Sequence, residues 1–254
     1  MSGAGISTDS GIPGYRDERG EWKRTAPVQL QDFLRTESTR QRYWARSMVG
    51  WPLVAQAMPN AAHLALGQLE SLGRVQQLVT QNVDGLHQRA GSSAVIELHG
   101  NVSQVVCLGC GSECSRESIQ RRLERDNPNF LDMAAPAAPD GDADLESVQL
   151  TAFRVPSCTR CDGILKPTVV FFGENVPRHR VDAAANALER ADAMLVIGSS
   201  LMVYSGYRFC EWAYRIGKPI AAINLGRTRG DHLFALKVEA SCADALTSLV
   251  ARLN

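Results

Sequence analysis

Two cysteine pairs, Cys107-x-x-Cys110 and Cys158-x-x-Cys161, constrain this chain more than any other feature. A Cys-x-x-Cys turn sets two thiolates on one side of a tight loop. Two such turns surround Zn²⁺ tetrahedrally, each sulfur about 2.3 Å from the metal. Gly109 and Gly111 suit the first turn, and Asp162-Gly163 follows the second. Four thiolates fill the coordination sphere, so such an ion is structural and offers no open position to a reactant. The competing reading is four unligated or redox-active thiols. The chain has seven cysteines, an odd number, and Met1 leads at once into a glycine turn instead of a charged and then apolar segment. Metal binding in a reducing cytoplasm is therefore expected before disulfide formation. Cys114 and Cys210 read as ordinary semi-buried thiols.

The cysteine module interrupts a different pattern. Residues 75–79, 94–96, 193–198 and 219–224 are short apolar runs, most of them closed by Gly, Asn, Ser or Thr, as buried parallel strands are. Helical spacing fills residues 60–72, 178–191 and 207–216 between them. This alternation predicts an α/β fold, a Rossmann-like parallel sheet forming a large domain, residues 1–101 and 166–254, with a smaller inserted zinc-binding domain, residues 102–165. Within the insert, residues 116–125 read as a charged helix. The Ala-, Pro- and Asp-rich stretch near 132–147 reads as a mobile insertion. Lys plus Arg equals Asp plus Glu at 27 each, a balance that argues against a nucleic-acid partner. No apolar run approaches the length of a membrane span.

In an open parallel sheet the ligand sits at the carboxyl ends of the strands, so the residues there carry the functional argument. Gly3-Ala4-Gly5 is a glycine turn followed by Ser7, Thr8 and Asp9, all good helix caps, and such a turn lets backbone N–H groups approach a pyrophosphate. Alone it is only a turn. Gly198-Ser199-Ser200 and Asn224-Leu225-Gly226 end two further strands with small and amide residues suited to a ribose or an adenine. Gln81-Asn82-Val83-Asp84 puts two amides and a carboxylate where a connector needs none, a set suited to a carboxamide and ribose hydroxyls. His99-Gly100 closes another run. A histidine there is either a structural hydrogen-bonder or a general base titrating near neutral pH.

Taken in order, these motifs, the cysteine pairs and Val170-Phe171-Phe172-Gly173-Glu174 resemble the sirtuin family over essentially the whole chain. Residues 40–46, 138–142 and 203–209 resemble class II, meaning mitochondrial sirtuin four and its bacterial relatives. The resemblance implies NAD as co-substrate, structural Zn²⁺, and acylated-lysine proteins as substrates. The acyl oxygen would attack C1′ of the nicotinamide ribose, and His99 would then activate a ribose hydroxyl toward the alkylamidate. Lysine and O-acyl-ADP-ribose would leave. Asn82 and Asp84 match residues holding the ribose and nicotinamide, with Gln81 beside them. Gly3, Ala4, Gly5, Ser7, Asp9, Tyr15 and Arg16 fall in or near the cofactor loop, and Gly198, Ser199, Ser200, Asn224, Leu225, Gly226 and the backbone at Cys242 in the adenosine end. Val170 to Glu174 match a strand that pairs with substrate backbone.

The resemblance also implies a helix and a buried strand before the glycine turn. The expectation is that the coding sequence reads in frame upstream of Met1 through an apolar stretch. Tyr43 and Arg46, three apart in an expected helix, share a face. In sirtuins that remove acidic acyl groups a Tyr-x-x-Arg pair binds the distal carboxylate; a core tyrosine with a solvated arginine is the alternative. Three other functions compete. A protein mono-ADP-ribosyltransferase would share the first step, a non-catalytic NAD sensor would not need Asn82, Asp84 and His99 together, and a dehydrogenase would need an acidic ribose anchor after a second strand.

Overall fold

The computed structural model describes residues 1–17, 19, 21, 23, 27–131 and 150–253, so the expected insertion and the 138–142 stretch lie outside the described residues. In chain order the elements are a 3₁₀ turn (Ala4–Ser10), α1 (Leu30–Arg35), α2 (Glu37–Gln56), α3 (Ala61–Ser71), β1 (Leu78–Thr80), α4 (Leu86–Arg89) and β2 (Val95–Glu97). The inserted module follows as β3 (Gly100–Cys107), β4 (Glu113–Ser115), α5 (Arg116–Asp126) and β5 (Leu165–Val169). The chain returns through α6 (Arg178–Arg190), β6 (Met194–Ile197), α7 (Tyr204–Arg215), β7 (Ile220–Ile223), β8 (Leu236–Val238) and α8 (Cys242–Leu253).

β1 pairs with β2, and β6 with β7 and β7 with β8, all in parallel. Met1 to Gly3 join the two groups. Ser2 bridges Thr80 on one side and Ile197 on the other, with Ser2 N–H donating to Val79 O at 2.9 Å and Ile197 N–H to Met1 O at 2.8 Å. The glycine turn thus leaves the middle of the sheet at its carboxyl edge. Along β6 the side chains alternate: Met194 and Val196 pack with α6 and α7, while Leu195 and Ile197 pack with α3 and α8. That period of two, buried on both faces, marks a strand sandwiched between helix layers.

The starts and stops have local causes. Asn60 Oδ1 accepts from Ala62 N–H at 2.9 Å and caps α3. The expected strand at 75–79 begins only at Leu78, because Leu69 O takes the N–H groups of Arg74 and Val75 to close α3. α7 starts at Tyr204, three residues before its expected start, since Val203 is extended and the chain turns helical at once. Among the described residues no helix is long and apolar enough to cross a membrane.

β4, β3 and β5 form a separate antiparallel sheet. Its core is shared with residues the sequence assigned to the large domain. Phe33 of α1 and Tyr43, Trp44, Met48 and Val54 of α2 cluster with Val102, Val105, Ile119, Leu123 and Leu165. Arg116, fully buried between the rings of Trp44 and Trp51 at 5.5 and 4.9 Å, ties α5 to α2 and donates to Ser47 O at 2.9 Å.

Gly198 ends β6 at φ +56°, and a Cβ there would lie 2.4 Å from Ile6 N. Gly198→Ala is expected to cost on the order of 2–3 kcal/mol by straining the backbone and pushing the 3₁₀ turn off the sheet. Urea denaturation checks this, and an unchanged midpoint would contradict the close approach.

Candidate active site and metal centre

A cleft of about 580 Å³ opens at the carboxyl edge of the parallel sheet, between it and the antiparallel module. Its floor is the glycine turn, where Gly5 N–H donates to Gly198 O at 2.8 Å. A Cβ on Gly5 would lie 2.8 Å from that oxygen, so the turn lies flat on the strand end.

From that floor Ser7 reaches up into a polar cluster. Its Oγ donates to Asp84 Oδ2 at 2.8 Å and accepts from Asn82 Nδ2 at 3.0 Å. His63 Nε2 stands 3.5 Å away and supplies the second hydrogen to Ser7, because its Nδ1 accepts from Asn60 N–H. The other oxygen of Asp84 accepts from Leu86 N–H at 2.9 Å, so the carboxylate is oriented through both oxygens. Beneath lies a second buried histidine. The His87 ring is 4.8 Å from that of His63, and its Nε2 is 2.8 Å from Ser2 Oγ. Burial, with the nearby His63 and chain N-terminus, pushes His87 down to about 3. Burial also lowers His63, against the pull of Asp84.

His99 ends the loop after β2 on the opposite wall. Its Nδ1–H donates to Gln81 O at 2.9 Å, and its Nε2 is 2.7 Å from Ser205 Oγ. Burial lowers its pKa, the bond to Gln81 opposes that, and Arg180 lowers it further. The ring is therefore a neutral base at physiological pH.

The third wall is apolar. Tyr43, Ile12, Val28 and Phe171 line it, with the Tyr43 and Phe171 rings 5.0 Å apart. β5 ends at Val169, and Val170 to Glu174 continue from it along the cleft, with Phe172 bridging Gln29 in parallel and Val170 N–H donating to His99 O at 2.8 Å. The Glu174 carboxylate accepts from Phe171 N–H at 2.9 Å and pairs with buried Lys166 at 2.9 Å.

The cleft gathers Gly3, Ala4, Gly5, Ser7, Asp9, Tyr15, Arg16, Gln81, Asn82, Asp84, His99, Val170 to Glu174, Gly198, Ser199, Ser200, Asn224, Leu225 and Cys242. Two residues fall outside its lining, Gly226 and Arg46. Tyr43 lines the cleft and Arg46 does not, although both are buried, with 7% and 8% of their surfaces exposed. The lining also includes Ile12 and Val28, which stood in no motif, and Ser205 and Arg208, which the 203–209 resemblance covered without giving them a role.

The four cysteine sulfurs lie within 4.8 Å of one another. Cys107 and Cys161 are 3.5 Å apart and Cys110 and Cys158 3.8 Å, close to the roughly 3.8 Å edge of a tetrahedron with 2.3 Å metal–sulfur bonds. Gly109 and Arg160 N–H groups donate to Cys107 and Cys158 sulfurs at 3.4 and 3.5 Å, as they would to thiolates. The donor set therefore fits Zn²⁺ with no position left for a reactant.

The Sir2 family model matches residues 3–205. This chain belongs to the Sir2 family. It is 60% identical over 249 residues to an NAD-dependent protein deacetylase of Xanthomonas campestris pv. campestris, covering 98% of this chain and 85% of the relative. It is 56% identical to the NAD-dependent protein deacetylase 2 of Bradyrhizobium diazoefficiens, covering 98% and 92% of the two chains. Among solved structures, Sir2 with p53 peptide and NAD⁺ superposes with a TM-score of 0.77 at 32% identity, over 99% of this chain and 90% of that one. Sir2 with the inhibitor EX-527, 2′-O-acetyl-ADP-ribose and deacetylated p53 peptide gives 0.78 at 31%, over 99% and 91%.

Two outcomes are expected. Cys158→Ala should lose the bound metal and open the β3–β4–β5 lobe to protease; a metal-free variant with wild-type protease resistance would contradict a structural role. His63, His87 and His99 all sit below their unfolded value of 6.5, so the unfolded chain takes up protons first as pH falls. Their contribution to stability is complete above about pH 6.5 and declines toward pH 5, by up to about 1.4 kcal/mol per pH unit for each histidine. Denaturant titrations at the two pH values measure it, and a flat profile would contradict it.

Proposed function

We propose that this Sir2-family protein is an NAD-dependent protein-lysine deacetylase, releasing nicotinamide, free lysine and an O-acyl-ADP-ribose. One observation carries the reading: a neutral histidine base, an oriented amide–carboxylate pair and an apolar slot face one another across a single cleft. The names of the relatives, and the peptide and NAD bound by the structural neighbours, support the same pair of substrates.

The residues fit NAD. Gly3, Ala4 and Gly5 keep side chains off the turn where a pyrophosphate would lie, and Asp9, Tyr15 and Arg16 border it. Ser199, Asn224 and Cys242 line the far end, which suits an adenosine. NAD supplies an electrophilic ribose carbon with nicotinamide as leaving group. Asn82 and Asp84 line the cleft and would hold the ribose, where an amide and a carboxylate would favour developing positive charge. His99 Nε2 accepts a ribose hydroxyl proton. The slot of Ile12, Val28, Tyr43 and Phe171 takes the acyl group and excludes water.

The parallel sheet is the NAD domain and residues 102–165 the metal module, with α1 and α2 belonging by packing to the latter. Acylated-lysine proteins are the partners. The seven cysteines form no disulfide, and a four-thiolate metal centre suits a reducing cytoplasm.

Incubation with NAD and an acetyl-lysine peptide should give nicotinamide, free lysine and O-acetyl-ADP-ribose by mass spectrometry. An ADP-ribosylated protein in their place would overturn the reading in favour of a transferase. His99→Ala and Asn82→Ala should each lower kcat by about a hundredfold or more.

A further inference from the structure

Ser205 has no part in the chemistry described so far, yet its hydroxyl lies 2.7 Å from the cleft-facing nitrogen of His99. A carbonyl oxygen can only accept, so the 2.9 Å contact with Gln81 O places the ring proton on Nδ1 and leaves the lone pair on Nε2. The Ser205 hydroxyl therefore donates to the nitrogen that must act as base.

The placement is built from both sides. Ser205 is the second residue of α7, so the helix backbone fixes its Cα. Next to it, a Cβ on Gly206 would stand 2.5 Å from Gln81 Oε1. Only glycine lets the Gln81 side chain lie against the helix and donate to Ser199 Oγ at 2.8 Å, while its main-chain carbonyl holds Nδ1. Gln81, His99 and Ser205 are thus one hydrogen-bonded chain joining the loop after β1 to α7.

We infer that Ser205 is a positioning residue for His99, donating to Nε2 while the ring is neutral and accepting from it once the ring is protonated. The inference rests on His99 being the base. A hydroxyl has one hydrogen and two acceptor sites, so it serves both states without the ring moving. An arriving ribose hydroxyl displaces the Ser205 hydrogen from the lone pair. Its proton passes to Nε2, the O–H electron pair stays on the ribose oxygen, and Ser205 keeps its own proton while Oγ turns to accept. A buried imidazolium needs such a partner, because burying a charge without a hydrogen bond is costly. Of the groups facing the ring, Arg180 from α6 opposes the charge, and Gln81 and Ser205 are neutral.

The first test needs no turnover. In the protein without NAD, ¹⁵N NMR of the His99 ring should show Nδ1 protonated and Nε2 bare but hydrogen-bonded. Ser205→Ala should move the Nε2 resonance toward that of a free lone pair, and Ser205→Thr should restore it. In deacetylation assays Ser205→Ala should lower kcat about tenfold, the worth of one hydrogen bond to a charged group, with KM for NAD little changed and recovery in Ser205→Thr. Wild-type kcat and an unmoved resonance in Ser205→Ala, beside an inactive His99→Ala, would overturn the role of Ser205 alone. An active His99→Ala would overturn the base assignment and this inference with it. Should Ser205→Ala fail to fold, the wild-type ring decides: a proton on Nε2 overturns the proposal.

Discussion

The site depends on one backbone contact. Gly5 N–H meets Gly198 O at 2.8 Å, and a Cβ on Gly5 or Gly198 would crowd the opposite chain. Two glycines at the carboxyl edge of the sheet therefore let the first turn lie flat across the end of β6. From that position Ser7 reaches Asp84 and Asn82, and the turn's backbone borders the cleft. A side chain of any size at either position would lift the turn, and the polar cluster would lose its centre.

The polar cluster is also a protonation device that stays in one state. His63 and His87 are buried with their rings tilted against each other, and both are neutral for the same reason, removal from water. A neutral His63 gives Ser7 a hydrogen without adding charge beside Asp84. Ser7 in turn donates to the Asp84 carboxylate at 2.8 Å, so the cluster is one connected hydrogen-bond network.

The metal module and the apolar wall of the cleft share a core. Phe33 of α1 meets Phe171 edge-on and Tyr43 of α2 lies tilted against it, and α2 is clamped to α5 by Arg116 between two tryptophans. Loss of the metal should therefore reach that wall through β3, β5 and α2, although the four thiolates offer no ligand position to a reactant.

Much of this was legible in the sequence. The cysteine spacing foretold a four-sulfur site, the apolar runs foretold β6 and β7, and the polar strand ends foretold the cleft, because strand ends and knuckles are local features written in consecutive residues. Chain order could not reveal which helix packs where. α1 and α2 join the inserted module because of a shared aromatic core, and Arg46, three residues on from Tyr43, lies outside the cleft that Tyr43 lines. Glu174 holds both Phe171 N–H and Lys166, a pairing that chain order does not show. Ser205, over a hundred positions from His99 in the chain, meets it only because α7 begins at Tyr204 beside the loop that carries Gln81. Local chemistry fixed the kinds of group available; which of them touch was decided by packing, through contacts between residues that the sequence holds far apart.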